Sequence, residues 1–129
     1  MFSSLRWLLV GLLSYTLAST ALAADCAPDQ GHGAQVFANE CAVCHSVTKG
    51  LTGMMGPNLA GVIGRKSGSL EGFNYSQAMR SKDIDWQAGN IEQLIAQPQA
   101  YVPGTYMPYT GLASADDRQA VVCYLKEQQ

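Results

Sequence analysis

Charge is scarce in this chain. Asp, Glu, Lys and Arg make up only 14% of its 129 residues, and ten acidic side chains outnumber eight basic ones, for a formal net charge of −2. No basic stripe or run is present, which removes the footprint that nucleic acid requires. Long apolar runs are also missing. The one near the start, over residues 7–17, is shorter than the ~20 residues a membrane-spanning helix needs. Nothing alternates polar and apolar with period two for long enough to build a sheet, and no internal repeat or low-complexity tract occurs. Histidine is nearly absent, with His32 and His45 the two present. Of the four cysteines, only Cys41 and Cys44 form a C-x-x-C pair. A four-thiolate zinc site needs a second such pair, and Cys26 and Cys123 stand alone. A thioredoxin-type pair would follow a strand, and residues 33–40 do not read as one.

The first residues carry a targeting pattern. Arg6 supplies a positive n-region, residues 7–17 an apolar h-region, and Ala21-Leu22-Ala23 an A-x-A cleavage site. Residues 1–23 are therefore expected to be a cleaved signal peptide, sending the chain to the periplasm without stable membrane insertion. Asp25, immediately before Cys26, is the wrong residue for a lipoprotein signal. Residues 24–129 then form one domain, more acidic than the whole chain because Arg6 is lost.

Within that domain the periodicity predicts an amphipathic helix over residues 30–41, with Ala34, Phe37, Ala38 and Cys41 at i, i+3, i+4 and i+7. Residues 47–69, with Gly50, Gly53, Gly56, Pro57, Gly61, Gly64 and Gly68, read as turns. Short helices are expected over residues 76–82 and 87–96, the second stopped by Pro98. Residues 97–112 read as loop. A last helix starts at Ser114, capped with Asp117 three residues on, and carries Val121, Tyr124 and Leu125 as its apolar stripe. The fold class is small, all-α and loop-rich. About half of such a chain is irregular, yet it is neither highly charged nor poor in apolar residues, so disorder is a poor reading. A central cofactor that the loops wrap resolves the conflict.

Cys41-Ala42-Val43-Cys44-His45 supplies that cofactor. C-x-x-C-H is the attachment signature of c-type haem. On a helical turn the two thiols lie on one side, placed to add to the two vinyl groups of one porphyrin. His45, at i+4 from Cys41, shares that face and offers an imidazole to the iron. Export agrees with this chemistry, because haem is attached covalently outside the cytoplasm. For the sixth iron position the candidates are His32, Met54, Met55, Met79 and Met107. His32 lies close to His45 on the proposed first helix, Met54 and Met55 follow His45 on its own side, and Met79 sits on a short helix and suits a core role. Met107, between Pro103 and Pro108, lies on a stiff loop, and Pro108 forces it towards an extended conformation. It is the expected ligand.

These motifs together resemble one family. C-x-x-C-H is followed by Gly56-Pro57-Asn58-Leu59, Gly64-Arg65-Lys66-Ser67-Gly68, Gly72-Phe73-Asn74-Tyr75, Ile84-Asp85-Trp86, Tyr101-Val102-Pro103-Gly104-Thr105-Tyr106-Met107 and Tyr124-Leu125-Lys126. From residue 31 to 128 the chain is similar to a class I cytochrome c, here in an exported bacterial form. The resemblance implies four to five helices around one haem c, bound through Cys41 and Cys44 with His45 and Met107 as axial ligands. Pro57 would accept a hydrogen bond from His45 through its carbonyl. Tyr75 and Trp86 would donate to a buried propionate with Arg65 nearby, and Thr105 would also face the cofactor. Gly33 and Phe37 would cross the last helix at Val121 and Tyr124. The family packs its first and last helices together, so a Cys26–Cys123 disulfide is a further expectation. Cys123 lies on the other side of the last helix from the apolar stripe, which argues against it.

The departures bear on partners. Gln35, Glu40, Met54, Gln99, Ala100, Tyr106 and Ala113 stand where many members carry lysines, and Leu94 and Met79 replace a tyrosine and an asparagine beside the methionine sulfur. A more apolar docking face is implied, with Met54, Met55, Tyr106 and Tyr109 contributing. The expected function is a monomeric, soluble electron carrier between transient redox partners, a reductase and an oxidase or other acceptor, and not an enzyme. A haem c subunit of a periplasmic oxidoreductase complex is the alternative. A gas sensor or peroxidase would need a labile sixth ligand.

Overall fold

A computed structural model describes Cys26 and residues 30–129. The proposed signal peptide and its cleavage site lie outside these residues. Five helices occur among the described residues: α1 (Gln30–Glu40), α2 (Gln77–Ser81), α3 (Ala88–Ala96), α4 (Pro98–Tyr101) and α5 (Ala115–Glu127). They contain no strand; one isolated bridge joins Lys66 to Asp85. The all-α, loop-rich class is as expected.

The frame is the packing of α1 on α5. Gly33 is buried at their crossing, and a Cβ there would run into the backbone carbonyl of Ala120. A glycine costs helix propensity; here it lets the two backbones close up. One turn further on, the Phe37 and Tyr124 rings meet at 5.2 Å between centroids. At the open end His32 Nε2 lies 2.8 Å from Asp117 Oδ1. The buried face of α1 differs from the expected stripe. Val36 and Phe37 are buried, whereas Ala38 is exposed, because the close approach at Gly33 turns the 33–36–37 edge of the helix inward. On α5 the buried set is Val121, Val122 and Leu125, with Tyr124 only partly covered.

Cys26 and Cys123 form a disulfide with Cα atoms 5.4 Å apart. Cys123 does lie off the buried stripe, and Cys26 reaches it there as an exposed residue. The bridge spans a sequence separation of 97. In the chain-entropy model a loop of that size contributes ~4–5 kcal/mol.

Local signals set the other ends. Ser114 Oγ accepts from the Asp117 N–H at 3.2 Å, capping α5. The Asp117 carboxylate turns to His32, so only half of a capping box forms. Asn90 Oδ1 accepts from the Gln87 N–H at 2.7 Å at the start of α3. Pro98 ends α3, but residues 97–112 are not all loop. Proline is preorganised for a first helical turn, and Pro98 opens α4, which the sequence reading missed. Lys82 Nζ donates to the Tyr101 carbonyl at 2.7 Å and stands 4.2 Å from that ring's centre, tying α4 to the end of α2.

Gly33→Ala tests the crossing. Alanine is the better helix former, yet the clash with Ala120 is expected to lower stability by about 1–3 kcal/mol. Denaturant unfolding measures this, and an unchanged or raised midpoint would contradict the close approach.

Candidate functional site

Beyond α1 the chain keeps turning. The Phe37 carbonyl accepts from the N–H groups of Cys41 and Ala42, both at 2.9 Å. The Cys41 carbonyl accepts from Cys44 at 3.0 Å and from His45 at 2.9 Å. This continued turn holds both thiols and the imidazole in the wall of a cavity of about 510 Å³. That volume lies within the ~300–1,000 Å³ of small-molecule and cofactor sites.

The loop after the turn folds back to orient His45. Gly56 N–H donates to the Cys44 carbonyl and Leu59 N–H to the Ser46 carbonyl, each at 2.8 Å. This brings the Pro57 carbonyl to 2.7 Å from His45 Nδ1, which donates to it. The bond fixes the tautomer and leaves Nε2 as the nitrogen with a lone pair. Gly56 lies flat against the imidazole, and a Cβ at that position would strike the ring. Burial pushes the imidazole pKa below its ordinary value, with the Pro57 bond opposing, so the ring is held neutral as a ligand requires.

Neither Cys41 nor Cys44 is in a disulfide, since the Cys26–Cys123 bridge takes the other two cysteines. Burial, then the charge of Glu40, pushes the Cys41 thiol up to about 11. It is a poor thiolate, unsuited to thiol–disulfide exchange at neutral pH.

The opposite chain segment enters from α4. Thr105 is buried, and its Oγ1 accepts from the Met107 N–H at 3.3 Å. Gln99 Nε2 donates to the carbonyls of Thr105 at 3.1 Å and Met107 at 3.0 Å. Met107 thus reaches the same cavity as His45. Arg65 donates through one guanidinium nitrogen to the Asn58 carbonyl at 2.7 Å and through the other to the Ala60 carbonyl. Tyr75 is half-buried; burial raises its phenol pKa, with the Arg65 charge opposing. Trp86 is buried, and its backbone pairs with the loop around Arg65.

All nine residues singled out from the sequence line this cavity: Cys41, Cys44, His45, Pro57, Arg65, Tyr75, Trp86, Thr105 and Met107. Met79 and Leu94 line it too. His32 does not; it belongs to the α1–α5 interface. Two features escaped the sequence reading. One is Gln99, whose amide holds the Met107 segment. The other is a hydrogen bond of 2.8 Å from the Tyr109 hydroxyl to Glu40 Oε2 at the cavity mouth. Each depends on contacts between distant segments that no local pattern encodes.

The residues fit a covalently held haem. A mostly apolar slot, two unpaired thiols one helical turn apart and an adjacent oriented imidazole define a haem c protein of the small all-α kind. The comparisons agree. The family model described as cytochrome c matches residues 31–129. Cytochrome c of Gibberella zeae is 41% identical over 95 residues, covering 74% of this chain and 90% of that protein. Cytochrome c of Nigella damascena is 37% identical over 101 residues, covering 78% and 91%. Cytochrome c of Arabidopsis thaliana is 36% identical over 100 residues, covering 78% and 89%. The chain belongs to the cytochrome c family. It is a haem c electron carrier, with one haem attached through Cys41 and Cys44.

Proposed function

We propose that this chain is an exported, monomeric carrier whose haem iron is held between His45 and Met107 and is not open to substrate. The observation that carries the reading is a single cavity. It joins the Cys41-Cys44-His45 turn to Met107, which arrives from a distant segment of the chain. When bound, the haem supplies a one-electron couple. The chain's residues do the rest. Cys41 and Cys44 tether the cofactor, and His45 presents Nε2 while its Nδ1–H stays on Pro57. Met107 presents a thioether from a loop that Thr105 and Gln99 hold in place. A soft ligand on a braced loop needs little rearrangement between oxidation states. Tyr75, Trp86 and Arg65 line the same cavity and would offer hydrogen-bond donors to the propionates.

Periplasmic location rests on Arg6, the apolar run and the Ala21-Leu22-Ala23 site, with cleavage after Ala23. No helix among the described residues is long and apolar enough to cross a membrane. The relatives named above are from a fungus and two plants. Sequencing of the N-terminus of the protein purified from its host tests export; a start upstream of residue 24 would overturn it.

Partners meet the cavity mouth, where Glu40 is the one acidic side chain beside exposed apolar ones. Val43, Met55 and Tyr106 line it and are 77%, 73% and 72% exposed. Electrostatic steering sets on-rate more than affinity, and this rim has little charge to steer with. Transient reductase and oxidase-type partners are expected to dock by apolar contact.

Met107→Ala is expected to yield a haem-loaded protein whose reduced form binds carbon monoxide rapidly, while the parent does not. Rapid binding by the parent would overturn Met107 ligation and favour a sensor or peroxidase. Oxidation of the reduced parent by ferricyanide is expected to change by less than about threefold from low to high ionic strength, since few charges surround the rim. A steep fall with salt would reveal a positive docking face.

A further inference from the structure

At the exposed edge of the haem cavity two lining side chains 69 residues apart are joined, the Tyr109 hydroxyl donating to Glu40 Oε2 at 2.8 Å. Glu40 is the last residue of α1 and directly precedes Cys41. Tyr109 follows Met107 with only Pro108 between them. Proline locks its φ, so little slack separates the tyrosine from the methionine. Both Glu40 and Tyr109 line the cavity, beside Cys41 at one edge and Met107 at the other.

The Met107 segment is therefore held at two points. Gln99 in α4, an exposed residue, fastens it through the carbonyls of Thr105 and Met107. Glu40 fastens it through Tyr109 to the helix that carries the haem-binding turn. Glu40 is held in turn, since α1 is packed on α5 at Gly33 and at Phe37–Tyr124. Among the described residues, the bond to Glu40 is the one hydrogen bond that Tyr109 or Pro108 makes. A ligand from solvent competing for the iron would have to lift this segment.

We propose that Tyr109 and Glu40 are positioning residues, forming a latch across the cavity mouth that keeps Met107 on the iron and shuts out external ligands. The latch rests on the reading of Met107 as axial ligand. Its occupant on failure is any small neutral base able to bind ferric haem, and imidazole is the probe.

The test uses the haem-loaded ferric protein, titrated with imidazole at mildly alkaline pH, where the probe is neutral, and followed by absorption. Tyr109→Phe keeps the ring and loses the hydroxyl. Glu40→Ala removes the acceptor, and Glu40→Gln retains a carbonyl oxygen that can accept. Tyr109→Phe and Glu40→Ala are each expected to raise imidazole affinity roughly two- to tenfold, the span of one hydrogen bond. The double variant should gain no more than the larger single effect, and Glu40→Gln should stay near the parent. Unchanged affinity in Tyr109→Phe, or additive effects in the double variant, would overturn the latch. So would an affinity gain that only tracks a fall in global unfolding free energy measured alongside. Failure of the underlying reading looks different: the parent's ferric spectrum would lack the thioether-to-iron band before any imidazole is added.

Discussion

The turn that follows α1 has to satisfy three demands at once, and the rest of the molecule is arranged around meeting them. It must present two thiols and one imidazole to the same side, at a spacing set by one porphyrin. Phe37 and Cys41 achieve this by offering carbonyls to four N–H groups beyond the helix end, so the backbone keeps curling where a helix would otherwise stop. The imidazole then needs its ring plane and tautomer fixed. The Pro57 carbonyl does so at 2.7 Å, and the glycine before it leaves room for the ring. Neither device works unless α1 itself is immobile. The crossing with α5 at Gly33 and the Phe37–Tyr124 ring contact hold it there.

The energetics follow from the same arrangement. The buried apolar set is short, and several of its members, Phe37, Val62, Met79, Trp86, Ile91, Ile95, Val121 and Leu125, face the cavity as well as one another. A small chain of this kind is marginal on its own core. A large flat apolar group in the cavity would add packing contacts to those already buried side chains, which helps long irregular segments to be stable here. The loops are ordered by specific bonds instead of by repeating structure. Asn58 holds the carbonyls of Thr48 and Leu51, Arg65 holds Asn58 and Ala60, and Gly64 and Trp86 exchange backbone contacts with their neighbours.

Much of this was legible in the sequence because it is written in short-range chemistry. The haem-binding turn sits in five consecutive residues, Met107 between two prolines marks a stiff loop, and Ser114 with Asp117 marks the start of α5. The nine residues read as cofactor contacts do line one cavity. What was not legible depends on tertiary approach. Periodicity put Ala38 on the inner face, whereas the contact at Gly33 rotates Val36 inward. The sequence marks Pro98 as a stop, and in the fold it both ends α3 and starts α4. The side of α5 bearing Cys123 argued against a bridge, yet Cys26 reaches it from outside the core. Gln99 and the Glu40–Tyr109 bond join segments far apart in the chain, and no spacing rule points to them.

A potentiometric titration of the purified parent protein followed by its absorption spectrum tests the account most directly. A single one-electron transition between low-spin ferrous and ferric states is expected. The ferric end point should carry the weak thioether-to-iron charge-transfer band of His45 and Met107 ligation. A high-spin ferric spectrum, or a low-spin one without that band, would contradict the central claim that both faces of the iron are closed by this chain.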